Sequence, residues 1–159
     1  MNAAATRLRS PDLRGGLARG LLALALLLLV AAPGSALAAE LTITVENIRS
    51  DQGQIRISVY SSEAQWPDKP AKDMGQAKPA QVGSVVFKYE LPPGVYAVNA
   101  FHDEKGTGKF ATNFLGMPLE GYGFSNDVRP NLLSAPSFYK AAFTLLPVGG
   151  VIHFKLVYP

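Results

Sequence analysis

From Leu41 onward, apolar residues recur at every second position in short runs, and that spacing admits little besides β-sheet. Leu41, Ile43 and Val45 alternate with Thr42, Thr44 and Glu46, and Ile55, Ile57 and Val59 alternate with Arg56 and Ser58. A two-residue period sends successive side chains to opposite faces, and β-branched residues suit a half-buried strand. Asn47 to Gly53 between them is rich in turn formers, so the two runs are expected to pair as a hairpin. Val85, Phe87 and Tyr89 are in phase in a third run. In Leu91-Pro92-Pro93-Gly94, two prolines fix φ and the glycine is free to take a positive one, which predicts a tight turn. Val95 to His102 then places Tyr96, Val98, Ala100 and His102 on one face. Ala142 to Leu146 and Gly150 to Tyr158, joined by Pro147-Val148-Gly149, are expected to be the last pair, with Ile152, Phe154, Leu156 and Tyr158 facing one way.

Such a set of short strands, without an amphipathic helix, closes most naturally as an all-β fold, an antiparallel β-sandwich. A small barrel is the next alternative. Ser61 to Ala80 carries three prolines and is expected to be a long surface connection, with Trp66 as a lid on the edge of the core.

The first forty residues follow a different logic. Arg7, Arg9, Arg14 and Arg19 precede Leu21 to Val30, an uninterrupted leucine, alanine and valine run. At roughly ten residues it is about half the length of a membrane-spanning helix. Ala36-Leu37-Ala38 is the small-x-small pattern of a signal-peptidase site, so residues 1–38 are expected to be a cleavable signal and Ala39–Pro159 the mature domain. That makes the protein periplasmic or secreted, with no stable membrane anchor after cleavage. The charge changes with it: the whole chain has 15 basic and 12 acidic residues, and removing four arginines and Asp12 leaves 11 of each. A neutral domain offers no basic face, which argues against nucleic acid as a partner. The chain has no cysteine, so disulfide and thiolate chemistry are excluded.

Between the strand ending near His102 and the one starting near Ala142 lies a long loop, residues 104–140. Connections of that length are often functional. Phe110, Phe114, Leu115, Met117, Tyr122 and Phe124 are spaced among its glycines, so it is expected to fold back as a packed loop with a satellite core.

The run Leu91-Pro92-Pro93-Gly94-Val95-Tyr96-Ala97-Val98, then His102-Asp103, Asn113-Phe114-Leu115-Gly116-Met117-Pro118 and Glu120-Gly121-Tyr122-Gly123-Phe124-Ser125-Asn126, resembles the bacterial family of domain of unknown function 2141. Pro136-Ser137-Phe138 and Ala141-Ala142-Phe143 fit its later segment. The resemblance implies an exported bacterial protein with a prealbumin-like (transthyretin-like) sandwich, and it supplies no activity. The family continues His-Asp with a calcium-loop-like pattern of alternating oxygen ligands. Here Lys105, Thr107 and Ala111 stand at its third, fifth and ninth positions and Phe114 at the twelfth, which argues against calcium. The Lys105 ammonium either replaces the ion by pairing with Asp103 or lies in solvent.

Two functional classes remain. The first is a non-enzymatic module that presents the 102–126 loop to a small molecule, glycan or envelope component. His102, Asp103, Asn113, Glu120, Tyr122, Ser125 and Asn126 are its candidate contacts. The second is a hydrolase or isomerase using His102 as a general base with Asp103, Glu104 or Glu120. Ser125 lies in Gly-Phe-Ser-Asn and lacks a nucleophile elbow. Two histidines without cysteine do not make a transition-metal set, and no cofactor is implied. The sequence does not assign an oligomeric state. The mature chain is expected to begin at Ala39, and N-terminal sequencing of material from an extracytoplasmic fraction checks this. Recovery of intact Met1 would contradict it.

Overall fold

The computed structural model describes residues 37–131 and 134–159, so nearly all of the expected signal segment lies outside the described residues. Eight strands run β1 (Ala39–Ile48), β2 (Gln54–Tyr60), β3 (Gly75–Pro79), β4 (Gly83–Leu91), β5 (Gly94–Asp103), β6 (Tyr122–Phe124), β7 (Phe143–Leu145) and β8 (Gly150–Lys155). The only α-helix among the described residues is a single turn, α1 (Phe138–Ala141). No helix there is long and apolar enough to cross a membrane.

The strands form a three-stranded sheet, β4-β1-β8, and a larger one ordered β3-β2-β5-β6, with β7 paired to the start of β5. Leu41, Ile43, Val45, Phe87 and Phe154 of the first sheet and Ile55, Val59 and Val98 of the second are fully buried in one cluster. This is the two-layer, all-β sandwich that the alternation implies. Removing each such side chain from water contributes about 1.5–3 kcal/mol.

The partners differ from those expected in three places. β1 and β2 are not a hairpin: β1 pairs with β4, and β2 with β3 and β5. Their odd-numbered faces meet across the sandwich instead of lying side by side, and alternation is satisfied either way. β7 and β8 likewise separate, β7 to β5 and β8 to β1, with one bridge between Leu146 and Gly149. The β1–β8 pair is parallel, whereas every other strand pairing is antiparallel. Pro92-Pro93 carries the chain from one sheet to the other, pinned by Tyr96 Oη donating to Pro92 O at 2.8 Å. Gly94 is not among the residues with positive φ.

The long connections also hold more structure than their composition suggests. Residues 75–79 form edge strand β3, which ends on Pro79. Within 104–140, Tyr122–Phe124 joins the sheet as edge strand β6. Trp66 does serve as a lid. It packs on Tyr60 and Phe138 with ring centroids 5.1 and 6.3 Å away, and its indole N–H donates to Pro136 O at 2.7 Å. The satellite cluster it covers is Tyr60, Ala97, Phe138 and Ala141, on the outer face of the larger sheet. The six loop residues expected to form a satellite core do not: none belongs to a buried cluster, Phe110 and Met117 are exposed, and Phe114 and Leu115 are 94% and 64% exposed.

Close approach explains three glycines. A methyl at Gly121 would overlap the Tyr158 ring, one at Gly123 would stand 2.6 Å from Lys155 O, and one at Gly149 2.8 Å from Glu40 O. Gly121→Ala is therefore expected to cost about 1–3 kcal/mol in urea unfolding. Gly94→Ala, whose added methyl meets Tyr96 at an ordinary 3.5 Å, is expected to cost less than about 1 kcal/mol. Equal losses at the two positions would contradict the close-approach account.

Candidate functional site

The end of β5 sets the geometry. His102 is buried on the core side, with Nε2 2.7 Å from Gln52 O and Nδ1 2.8 Å from Tyr158 Oη. A carbonyl only accepts, so Nε2 carries the proton, and in the neutral ring Nδ1 accepts from the Tyr158 hydroxyl. Tyr158 Oη in turn accepts the Arg49 backbone N–H at 3.2 Å. The Arg49 guanidinium lies over the Tyr158 ring, 4.4 Å from its centroid, and grips Glu104 through two bonds of 2.9 and 2.6 Å. That Arg49 hydrogen bond is the main cause that holds the Glu104 carboxyl down at about 2, with Ser50 assisting.

Asp103 is buried too, and serves a different purpose. Its carboxylate accepts the Thr107 N–H at 2.8 Å and the Gly108 N–H at 2.7 Å. Burial alone would raise its pKa. Those two backbone donors, with the positive charge of Arg56, outweigh that and lower it. Lys105 is exposed and makes no ion pair among the described residues. Of the two readings of Lys105, the structure has the solvated one, because backbone N–H groups and the Arg56 charge already stabilise the Asp103 carboxylate.

The remaining candidates do not converge on one pocket. Ser125 is buried and donates to Ala141 O at 2.6 Å, while accepting Val98 N–H at 3.0 Å. Asn126 adopts φ 62° and donates to the Lys140 and Ala142 carbonyls at the end of α1. Asn113 Oδ1 accepts the N–H groups of Leu115 and Met117, both at 2.9 Å. Glu120 is buried, with Oε2 accepting Ala111 N–H at 3.1 Å and Oε1 without a partner. No hydrogen bond joins His102 to Asp103 or Glu120, Glu104 Oε1 lies 3.8 Å from Nδ1 and is held by Arg49, and no ring nitrogen of His102 reaches solvent. Among the described residues, no three His, Cys, Asp or Glu side chains are grouped as metal ligands would be.

The concavity lies elsewhere, on the outer face of the larger sheet. An open groove of about 820 Å³ runs across it, and Tyr122 is the one sequence candidate in its wall. Register builds the floor: Ala77, Arg56, Phe101 and Tyr122 form one cross-strand row, and Gly75, Ser58, Asn99 and Phe124 the next. Small residues on β3 leave the floor low on that side. Aromatic rings line the other side in sequence, Phe101–Phe110 at 5.5 Å, Phe110–Tyr122 at 6.0 Å and Tyr122–Phe124 at 6.1 Å, and Trp66, outside the lining, backs Phe124 at 5.6 Å. Arg56 makes no ion pair among the described residues. Asn99 spends its amide N–H groups on Tyr60 Oη and Pro67 O, which leaves Oδ1 as an available acceptor.

Residues 43–149 match the model of a family described as an uncharacterized protein conserved in bacteria (DUF2141). The chain belongs to this family. No curated protein and no solved structure matches it. The DUF2141 match contains both rows of the groove floor and the loop that walls it, and stops before β8, which contributes Phe154 to the core. The groove residues missed in the sequence, Arg56, Ser58, Asn99 and Phe101, are the polar or aromatic members of strands otherwise read for their buried faces. Their signal was the outward phase of β2 and β5.

The Arg49–Glu104 pair gives a pH test. Glu104 is depressed from 4.5 to about 2, so its stabilisation is complete above about pH 4.5 and is lost as pH falls toward 2. Arg49 is half-exposed, and screening limits the contribution to about 1 kcal/mol. Glu104→Gln is expected to lower neutral-pH stability by that amount and to flatten the acid limb, as measured by urea unfolding from neutral pH down to about pH 2. An unchanged acid limb would contradict this role.

Proposed function

We propose that this chain is an extracytoplasmic, non-enzymatic binding module that holds a glycan in the groove on the outer face of its larger sheet. The observation that carries the reading is the aromatic row from Phe101 to Phe124 beside the Arg56 guanidinium, which makes no ion pair among the described residues. A pyranose ring presents an apolar C–H face to an aromatic ring and hydroxyls at its edge. Asn99 Oδ1, Ser58 and the Tyr122 hydroxyl are placed to meet those hydroxyls. Arg56 would pair with an acidic substituent. Mostly apolar walls with a few placed polar groups are the usual composition of a ligand site.

The 102–126 segment takes part through its backbone as much as its side chains. Asp103, Asn113 and Glu120 fix the loop that carries Phe110 into the wall, and Ser125 and Asn126 fix the turn after Phe124. Export is supported by the leucine run and the Ala36-Leu37-Ala38 site, and β1 starts at Ala39, so a cut after Ala38 leaves every described strand whole.

Titration calorimetry with short neutral and acidic oligosaccharides tests the reading. Phe101→Ala and Tyr122→Ala are each expected to weaken binding about tenfold, the equivalent of about 1–1.5 kcal/mol of ring contact. Arg56→Gln is expected to abolish the preference for acidic sugars. Absence of binding across the panel, or affinity indifferent to Tyr122→Ala in a variant of unchanged melting temperature, would sink the proposal.

A further inference from the structure

The loop that walls the groove has a second, outward part. Phe114, Leu115 and Leu119 do not line the groove and are 94%, 64% and 51% exposed. Large apolar side chains so exposed and so close together in sequence mark an interaction site. Their backbone is not loose. Thr112 bridges to Pro118, Asn113 N–H donates to Met117 O at 2.9 Å, and Gly116 N–H donates to Asn113 O at 3.0 Å. Leu119 N–H donates to Ala111 O at 3.0 Å, and Asn113 Oδ1 takes the N–H groups of Leu115 and Met117. Gly116, at φ 79°, makes the turn. The result is a short, stiff hairpin with Phe114 and Leu115 at its tip.

We propose that this tip docks the protein on an anionic lipid surface by inserting Phe114 and Leu115. Three features select that occupant. Phe114 is 94% exposed and, with Leu115, lies outside the groove lining that takes in Gly116, Met117 and Pro118, so the pair meets a surface and not a molecule held in the groove. Most of its backbone N–H groups are satisfied within the loop, the condition for entering a medium that offers no hydrogen bonds. Its charges have one sign: residues 105–119 include Lys105 and Lys109 and no Asp or Glu. Both lysines are exposed, and neither makes an ion pair among the described residues. Cations behind an apolar tip meet anionic headgroups as the tip enters the acyl boundary. Such docking is reversible, unlike a spanning anchor, and it is independent of the groove reading because the inserting residues are not groove residues.

Co-sedimentation with phosphatidylglycerol–phosphatidylethanolamine vesicles, and with phosphatidylcholine vesicles, tests this. The full-length chain and the chain from Ala39 both carry the comparison, since the variants differ only in the loop. Phe114→Ser combined with Leu115→Ser is expected to reduce partitioning about tenfold or more, with unchanged melting temperature and unchanged groove binding. Lys105→Gln with Lys109→Gln is expected to reduce partitioning on the anionic vesicles alone, about tenfold at low salt. Tryptophan emission of Phe114→Trp is expected to shift to the blue on anionic vesicles. A chain from Ala39 that does not partition, or a Phe114→Ser/Leu115→Ser variant that partitions as well as the parent, overturns the proposal. So does a lipid-free dimer in sedimentation equilibrium that the same double variant dissolves, which would assign the tip to a second copy of the chain.

Discussion

The arrangement depends on His102 being buried at the end of β5 with both ring nitrogens bonded. A buried imidazole with an unpaired nitrogen would be costly, and Gln52 O and Tyr158 Oη remove that cost. In doing so they tie together the β1–β2 crossover, the end of β5 and the C-terminal segment, three parts of the chain far apart in sequence. Gly121 is part of the same junction. Its missing side chain leaves room for the Tyr158 ring, and its carbonyl accepts the His102 N–H at 2.8 Å. The long loop therefore leaves and returns at a fixed point.

With its two ends held, the loop divides its residues between two surfaces. Phe110 turns inward against Phe101 and Tyr122 and becomes a wall of the groove. Phe114 and Leu115 lie in the turn closed by the Thr112–Pro118 bridge and are exposed. Asp103 and Asn113 each satisfy two backbone N–H groups, so polar side chains that could have served a ligand directly instead shape the surfaces that meet one. The Glu-Gly-Tyr-Gly-Phe-Ser-Asn run has the same logic. Gly121 and Gly123 admit neighbours, Tyr122 and Phe124 face the groove, and Ser125 and Asn126 lock the turn to α1.

Much of this was legible in the sequence, and the limits are physical. Alternation identified the core strands β1, β2, β4 and β5 and their buried faces, because the two-residue period is a local property of the backbone, but it did not reveal the short edge strands β3 and β6. Trp66 was legible as a lid, because a lone large aromatic in a polar connection needs somewhere apolar to go. The hairpins were not legible. β1 and β2 can bury the same odd-numbered residues side by side or face to face, and composition does not distinguish the two.

What the sequence by itself determined is an all-β domain with its core in the odd-numbered residues of β1 and β2, and a DUF2141-like pattern along the chain. Only the tertiary structure decided that β1 runs parallel to β8, that His102 hydrogen-bonds Tyr158 and Gln52 and not Asp103 or Glu120, and that Arg56, Phe101 and Tyr122 share a row. Those three come from β2, β5 and β6, and they meet because Arg56 pairs with Phe101 and Phe101 with Tyr122. Periodicity is written within each segment, whereas register is set between segments by the packing of the whole, so a site built from cross-strand rows comes into being only when the sheet does.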